Sequence, residues 1–128
     1  MNLKVDKENM YETIYNFPSQ IEKSFNIINE DCLLTGKQKF NNVESIMILG
    51  MGGSAISGLL IKEILNDEIN IPIHVNQNYI IPKWVNKKTL IIASSYSGNT
   101  EETLISCKEC IKKKCKIIGV STGGELLK

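Results

Sequence analysis

The chain contains no arginine; its 15 basic residues are all lysines. A bidentate guanidinium clamp for phosphate or carboxylate is therefore excluded. Any anion site must be built from backbone amides, hydroxyls or lysine. Histidine and tryptophan occur once each, and aromatic residues make up 6%. Long apolar runs are missing too. Glycine, asparagine, lysine or glutamate breaks each of them, and none approaches the roughly 20 residues of a membrane-spanning helix. The opening Met1-Asn2-Leu3-Lys4-Val5-Asp6 has neither the apolar segment nor the cleavage site of a secretory leader. The expectation is a cytoplasmic protein with no membrane partner. A net charge of +1 leaves no bulk electrostatic case for nucleic acid either.

What is present fits one ordinary globular domain of 128 residues, with 42% hydrophobic and 23% charged residues. A domain of that size buries one core with little margin. The four cysteines are Cys32, Cys107, Cys110 and Cys115. The spacing of Cys107 and Cys110 invites a zinc or redox reading, but no second such pair follows and only one histidine exists. Both fall on the apolar stripe of an expected helix with Leu104 and Ile111. There a free cysteine behaves as a small buried hydrophobe. No metal is expected.

Hydrophobic periodicity divides the chain into an arm and a domain. From Met10 to Asn29, the residues Met10, Ile14, Phe17, Ile21, Phe25 and Ile28 recur at steps of three and four, the pattern of one helical face. Pro18 interrupts that face, which predicts two helices or one kinked helix, with Pro18 near the second start. A polar connector over 34–42 closes an arm of residues 1–42. In residues 43–128 the pattern changes. Ser45–Leu49 is a short apolar run of the kind found in buried parallel strands. Ala55–Leu65 reads as a helix with Ile56, Leu59, Leu60 and Ile64 on one side. Ile71–Val75 and Thr89–Ala93 read as strands, Glu101–Lys113 as a helix and Lys116–Val120 as a fourth strand. Strands alternating with helices predict a doubly wound, flavodoxin-like parallel α/β sheet. The expected strand order is 2-1-3-4, with the switch point between the first and third strands.

Three expected strand ends carry the same kind of loop: Gly50-Met51-Gly52-Gly53-Ser54, Ser95-Tyr96-Ser97-Gly98-Asn99-Thr100 and Ser121-Thr122-Gly123-Gly124. In open parallel sheets ligands bind beyond the carboxyl ends of the strands, at helix N-termini with unpaired amides and a positive dipole end. Hydroxyls and glycines gathered there make a compact anion site, and a phosphate monoester suits it. The first loop matches a dinucleotide fingerprint only loosely, since alanine stands at position 55 and His74-Val75-Asn76 ends the second strand without an acidic residue. No Walker lysine follows it. The second loop is the more specific. Capping by Asn99 or Thr100 accounts for one hydroxyl or amide, but not for serines at both 95 and 97.

Ser-x-Ser-Gly-x-Thr after a strand, together with Gly-x-Gly-x-Ser after an earlier one, resembles the sugar isomerase (SIS) domain family. The longer strings Gly50–Ser54 and Ser95–Leu104, the opening Phe17-Pro18-Ser19-Gln20 and the turn Ser121–Gly124 look like its phosphoglucose/phosphomannose isomerase branch. The resemblance runs over roughly residues 6–126. It implies that Gly53, Ser54, Ser95, Ser97 and Thr100 hold the phosphate of a phosphorylated hexose. It implies interconversion of an aldose and a ketose phosphate through an enediol, without metal or nucleotide cofactor. It also implies partnership with a second SIS domain or a second copy. The family's general base and ring-opening histidine fall after Lys128, so the domain is expected to lack its last strand and helix, and its catalytic residues are unknown. Glu101, Glu102 and His74 are the nearby acids and bases, and none is expected to be the general base. Trp84 is expected to pack rather than to stack on a sugar. Two rival readings remain: a non-catalytic sugar-phosphate sensor, which wants a basic DNA-binding segment that the arm lacks, and another SIS-type isomerase.

Overall fold

A computed structural model describes residues 5–30 and 40–128. The chain divides into two compact units, Met1–Lys39 and Phe40–Lys128. The first carries helices α1 (Met10–Tyr15) and α2 (Phe17–Glu30). The carboxylate of Asp6 starts α1, accepting the amides of Met10 at 2.7 Å and Tyr11 at 2.8 Å. Pro18 is the second residue of α2, where the missing N–H removes no intrahelical bond. The sequence therefore resolves into two helices rather than one kinked helix. The connector expected over 34–42 falls mostly outside the described residues.

The second unit contains β1 (Ser45–Leu49), α3 (Gly53–Leu65), β2 (Ile73–Asn76), β3 (Thr89–Ser94), α4 (Glu101–Lys112), β4 (Lys116–Val120) and a closing 3-10 turn over Glu125–Leu127. The four strands form one parallel sheet in the order β2-β1-β3-β4, which is the expected order. β2 starts at Ile73, later than the Ile71 expected. Pro72 has no N–H to donate to the ladder, but its carbonyl accepts the amide of Ile46 at 2.9 Å.

Alternation along the strands assigns the two faces. Met47, Leu49, Ile91 and Ala93 share a core with Val85, Cys107 and Cys110, and α4 lies against β1 and β3. On the opposite face α3 lies against β1 and β2. It approaches so closely that a Cβ at Gly58 would meet Ile48 Cγ2 at 2.9 Å. That approach overturns the expected helix face. Ala55 and Gly58 are the buried positions of α3, while Ile56, Leu60 and Ile64 are 67%, 60% and 61% exposed. Ile111 is exposed as well. The buried stripe of α4 is Thr103, Ser106, Cys107 and Cys110. Among the described residues no helix is long and apolar enough to cross a membrane.

Candidate functional site

The switch point of the sheet lies between β1 and β3, and the two loops that follow these strands open side by side at their carboxyl ends. After β1 the chain turns through Gly50–Gly52 into α3, with Ser54 N donating to Met51 O at 3.1 Å. Gly53 is exposed and Ser54 half-buried. As the first residue of α3, Gly53 directs its amide out of the helix end.

After β3 the residues Ser95–Thr100 form a tight loop. Ser95 is 2% exposed, and its hydroxyl pairs with Thr100 Oγ1 at 2.8 Å while accepting the amide of Gly98 at 3.1 Å. Ser97 Oγ accepts the amide of Asn99 at 3.2 Å. Thr100 occupies the N-cap position of α4 yet makes no capping bond, because its hydroxyl is turned to Ser95. The first intrahelical bond of α4 runs from Leu104 N to Thr100 O. The amides of Ser97, Thr100, Glu101 and Glu102 therefore have no acceptor among the described residues. Unpaired amides at a helix N-terminus are the elements of an anion site.

A cleft of about 440 Å³ runs beside these loops. Gly53, Ser54 and Ser57 line it from α3, Ser94 and Tyr96 from the end of β3, and Val120, Ser121 and Thr122 from the end of β4. Of the five residues singled out in the sequence, Gly53 and Ser54 line this cleft, whereas Ser95, Ser97 and Thr100 do not. Ser95 and Thr100 are joined to each other, and Ser97 stays exposed at the loop's tip. The sequence reading passed over Ser57, Ser94 and Tyr96. Ser57 is one helical turn from Gly53, whose carbonyl its hydroxyl reaches at 3.1 Å, and that spacing was a usable signal. A second cleft of about 400 Å³, beside Lys62, Asn66 and Pro72, lies by the amino end of β2 and has no glycine–hydroxyl loop.

Among the described residues, no lysine lines the clefts beside the loops. Negative charge is present in Glu101 and Glu102, in the first turn of α4, where carboxylates also favour the dipole. Partial burial, and after it the carboxylates of Glu101 and Glu102, hold the Tyr79 phenol above its ordinary value. His74 lies within β2, opposite Met47, and meets Trp84 edge to face with ring centroids 5.7 Å apart. Among the described residues, Cys107, Cys110 and Cys115 are free thiols. Burial raises the Cys107 and Cys115 thiols, and burial with the neighbouring cysteines pushes Cys110 up to about 12. Such thiols stay protonated and are poor nucleophiles or metal ligands. Among the described residues no group of three or more histidine, cysteine or acidic side chains could hold a metal ion.

No protein-family model matches the chain. It is 44% identical over 117 residues to the bifunctional phosphoglucose/phosphomannose isomerase of Caldicellulosiruptor bescii, covering 91% of this chain and 34% of that protein. It is 41% identical over 90 residues to the enzyme of the same name from Thermoplasma volcanium, covering 70% of this chain and 29% of that one. The chain thus spans about a third of the length of these curated relatives. Among solved structures, a candidate phosphosugar isomerase from Clostridium difficile superposes with a TM-score of 0.67 at 26% identity, over 78% of this chain and 30% of that one.

Proposed function

The chain belongs to the sugar isomerase (SIS) family and is homologous to the bifunctional phosphoglucose/phosphomannose isomerases, and from that premise we propose that it holds the phosphate group of a hexose 6-phosphate at Gly53, Ser54, Ser95, Ser97 and Thr100. The observation that carries the reading is the set of amides at Ser97, Thr100 and the first turn of α4 that have no acceptor among the described residues, beside the hydroxyl of the exposed Ser97. With no arginine in the chain, a dianion bound here is neutralised by oriented amide and hydroxyl dipoles and by the N-terminal end of α4. The Ser95–Thr100 hydroxyl pair has a role even without direct contact. It fixes the loop so that the amides are aligned before the ligand arrives, and pre-ordering lowers the cost of binding. The neighbouring cleft of about 440 Å³ is of the size that holds a small polar ligand and accommodates the sugar.

The reaction we assign to the whole protein is interconversion of glucose 6-phosphate or mannose 6-phosphate with fructose 6-phosphate. A proton moves between C1 and C2 through an enediolate. The loops supply phosphate binding and orientation. The general base is assigned to none of Glu101, Glu102 or His74. The two glutamates lie at the phosphate end of the proposed site, and His74 is engaged with Trp84 within β2. A positioned base must reach the transferred proton. Cytoplasmic location and pairing with a second SIS domain or a second copy complete the proposal.

Titration calorimetry with glucose 6-phosphate, with inorganic phosphate as competitor, tests the site. Ser97→Ala and Thr100→Ala are each expected to weaken binding by about 1–3 kcal/mol, the range for hydrogen bonds to a charged group. Unchanged affinity in both variants would move the phosphate elsewhere.

A further inference from the structure

The loop that offers the amides is held by its own bonds to Ser95 and, from outside, by the turn after β4. Thr122 bonds twice to the carbonyl of Tyr96, through its amide at 3.2 Å and its hydroxyl at 2.6 Å. Leu126 N reaches the carbonyl of Gly98 at 3.0 Å, and Glu125 N reaches the side-chain oxygen of Asn99 at 3.1 Å. The strand ends are joined as well, Ser95 N to Val120 O at 3.0 Å. Alternate carbonyls of the loop, at Tyr96 and Gly98, are thus drawn to one side. In a trans peptide the C=O and the following N–H point in opposite directions. Drawing the Tyr96 carbonyl toward the β4 turn therefore turns the Ser97 amide away from it, and that amide is one of those left without an acceptor.

We propose that Thr122 and Asn99 are positioning residues for the anion site: they clamp the Ser95–Thr100 loop to the β4 turn and so aim the Ser97 amide at the bound phosphate. The inference rests on the phosphate reading above and adds to it two residues outside the five assigned to the phosphate. The Thr122 hydroxyl is the decisive group, because its bond to Tyr96 is the shorter of the two, and because a hydroxyl can be removed without changing side-chain shape. Exposure of Thr122 means that the hydroxyl contributes little to the core, so its loss should act on the loop's orientation rather than on overall folding.

The test uses the full chain and inorganic phosphate, titrated calorimetrically, with urea denaturation run on the same samples. Thr122→Val keeps the shape and deletes the hydroxyl; its dissociation constant for phosphate is expected to rise about 5- to 10-fold, the effect of one net hydrogen bond. Thr122→Ser restores the hydroxyl and is expected to stay within about 2-fold of wild type. A purely structural residue would instead lower the urea midpoint without this split in affinity. If the valine variant does not fold, Asn99→Ala removes the second clamp and is expected to show the same weakening. Wild-type binding with an unaltered Thr122→Val constant, or equal losses in the valine and serine variants, overturns the positioning role alone. Failure of the wild-type chain to bind phosphate overturns the site reading and this role with it.

Discussion

Gly98→Ala places a methyl group where the structure has no room for one. Gly98 has φ of +68°, the left-handed region. There a side chain costs about 1 kcal/mol over glycine. A Cβ would also stand 1.8 Å from the Gly123 carbonyl oxygen and 2.7 Å from Ser121 Oγ. A Cβ has no rotamer to escape into, and the nearest atom is backbone, so the β4 turn must withdraw by roughly an ångström or more. Withdrawal breaks the bonds from Thr122 to Tyr96 and from Leu126 to Gly98. At about 0.5–1.5 kcal/mol for each of the three bonds, these losses and the backbone strain give a destabilisation of roughly 2.5–5.5 kcal/mol, at the upper end of the range for single substitutions and beyond it. Urea denaturation measures it directly. Gly53→Ala is the reference: its Cβ would meet nothing within 4 Å and its φ is not positive. It is expected to change stability by less than about 0.5 kcal/mol. A Gly98→Ala protein as stable as wild type, or a Gly53→Ala protein equally damaged, would refute the packing of the two loops described here.

Two further substitutions probe the core beneath the site. Thr103 is 2% exposed, and its hydroxyl has no hydrogen-bond partner among the described residues. Thr103→Val removes a buried unsatisfied group at constant shape, so stability in urea is expected to rise by about 1 kcal/mol; a loss would mean that the hydroxyl is satisfied in solution. Cys110 is wholly buried and its thiol is pushed up to about 12 from 9.0. The unfolded chain therefore releases this proton first. Stability is unaffected below about pH 9 and falls between about 9 and 12, with a limiting slope near 1.4 kcal/mol per pH unit for this one group. Comparing urea midpoints at about pH 8 and pH 10.5 should show a smaller drop in Cys110→Ala than in wild type. Equal drops would remove Cys110 as the cause.

The parts of this fold that were legible in the sequence are those where one residue type decides local geometry. Strands β1 and β4 match their expected bounds because each is a short apolar run bordered by polar turns. Pro18 separates α1 from α2 at the expected place. The strand order followed from requiring two glycine–hydroxyl loops to meet at one switch point. What failed was the reading of which helix face is buried. On α3 the large apolar residues mark one stripe, but contact with Ile48 is made by Ala55 and Gly58, whose small size permits close approach. Periodicity counts hydrophobicity and is blind to the advantage of a small residue at a helix–sheet contact. For the same reason Thr103 and Ser106 were not expected inside α4's buried stripe beside Cys107 and Cys110. The candidate site residues were singled out by their chemistry, but their hydrogen-bond partners were not. The pairing of Ser95 with Thr100, and of Thr122 with Tyr96, joins groups brought together by loop curvature and strand order, which no local pattern encodes.

That division has a consequence for how the proposed site will respond to substitution. A site built from charged side chains loses most of its affinity when one of them is removed, because a guanidinium or ammonium group contributes as a unit. Here, among the described residues, no cationic side chain lines the clefts beside the loops, and the unpaired donors of Ser97, Thr100, Glu101 and Glu102 are backbone amides that no substitution deletes. Ser97→Ala removes a hydroxyl but leaves the amide of residue 97 in place. Gly98→Ala removes no donor and yet displaces the peptide planes on both sides of it. The expected order of damage to phosphate binding therefore runs opposite to the usual expectation that ligand-facing side chains matter most: the glycine that never faces the ligand costs more than the serine that does. Measuring both variants against inorganic phosphate under one set of conditions separates a backbone-built site from a side-chain-built one, since only the former puts Gly98→Ala below Ser97→Ala in affinity.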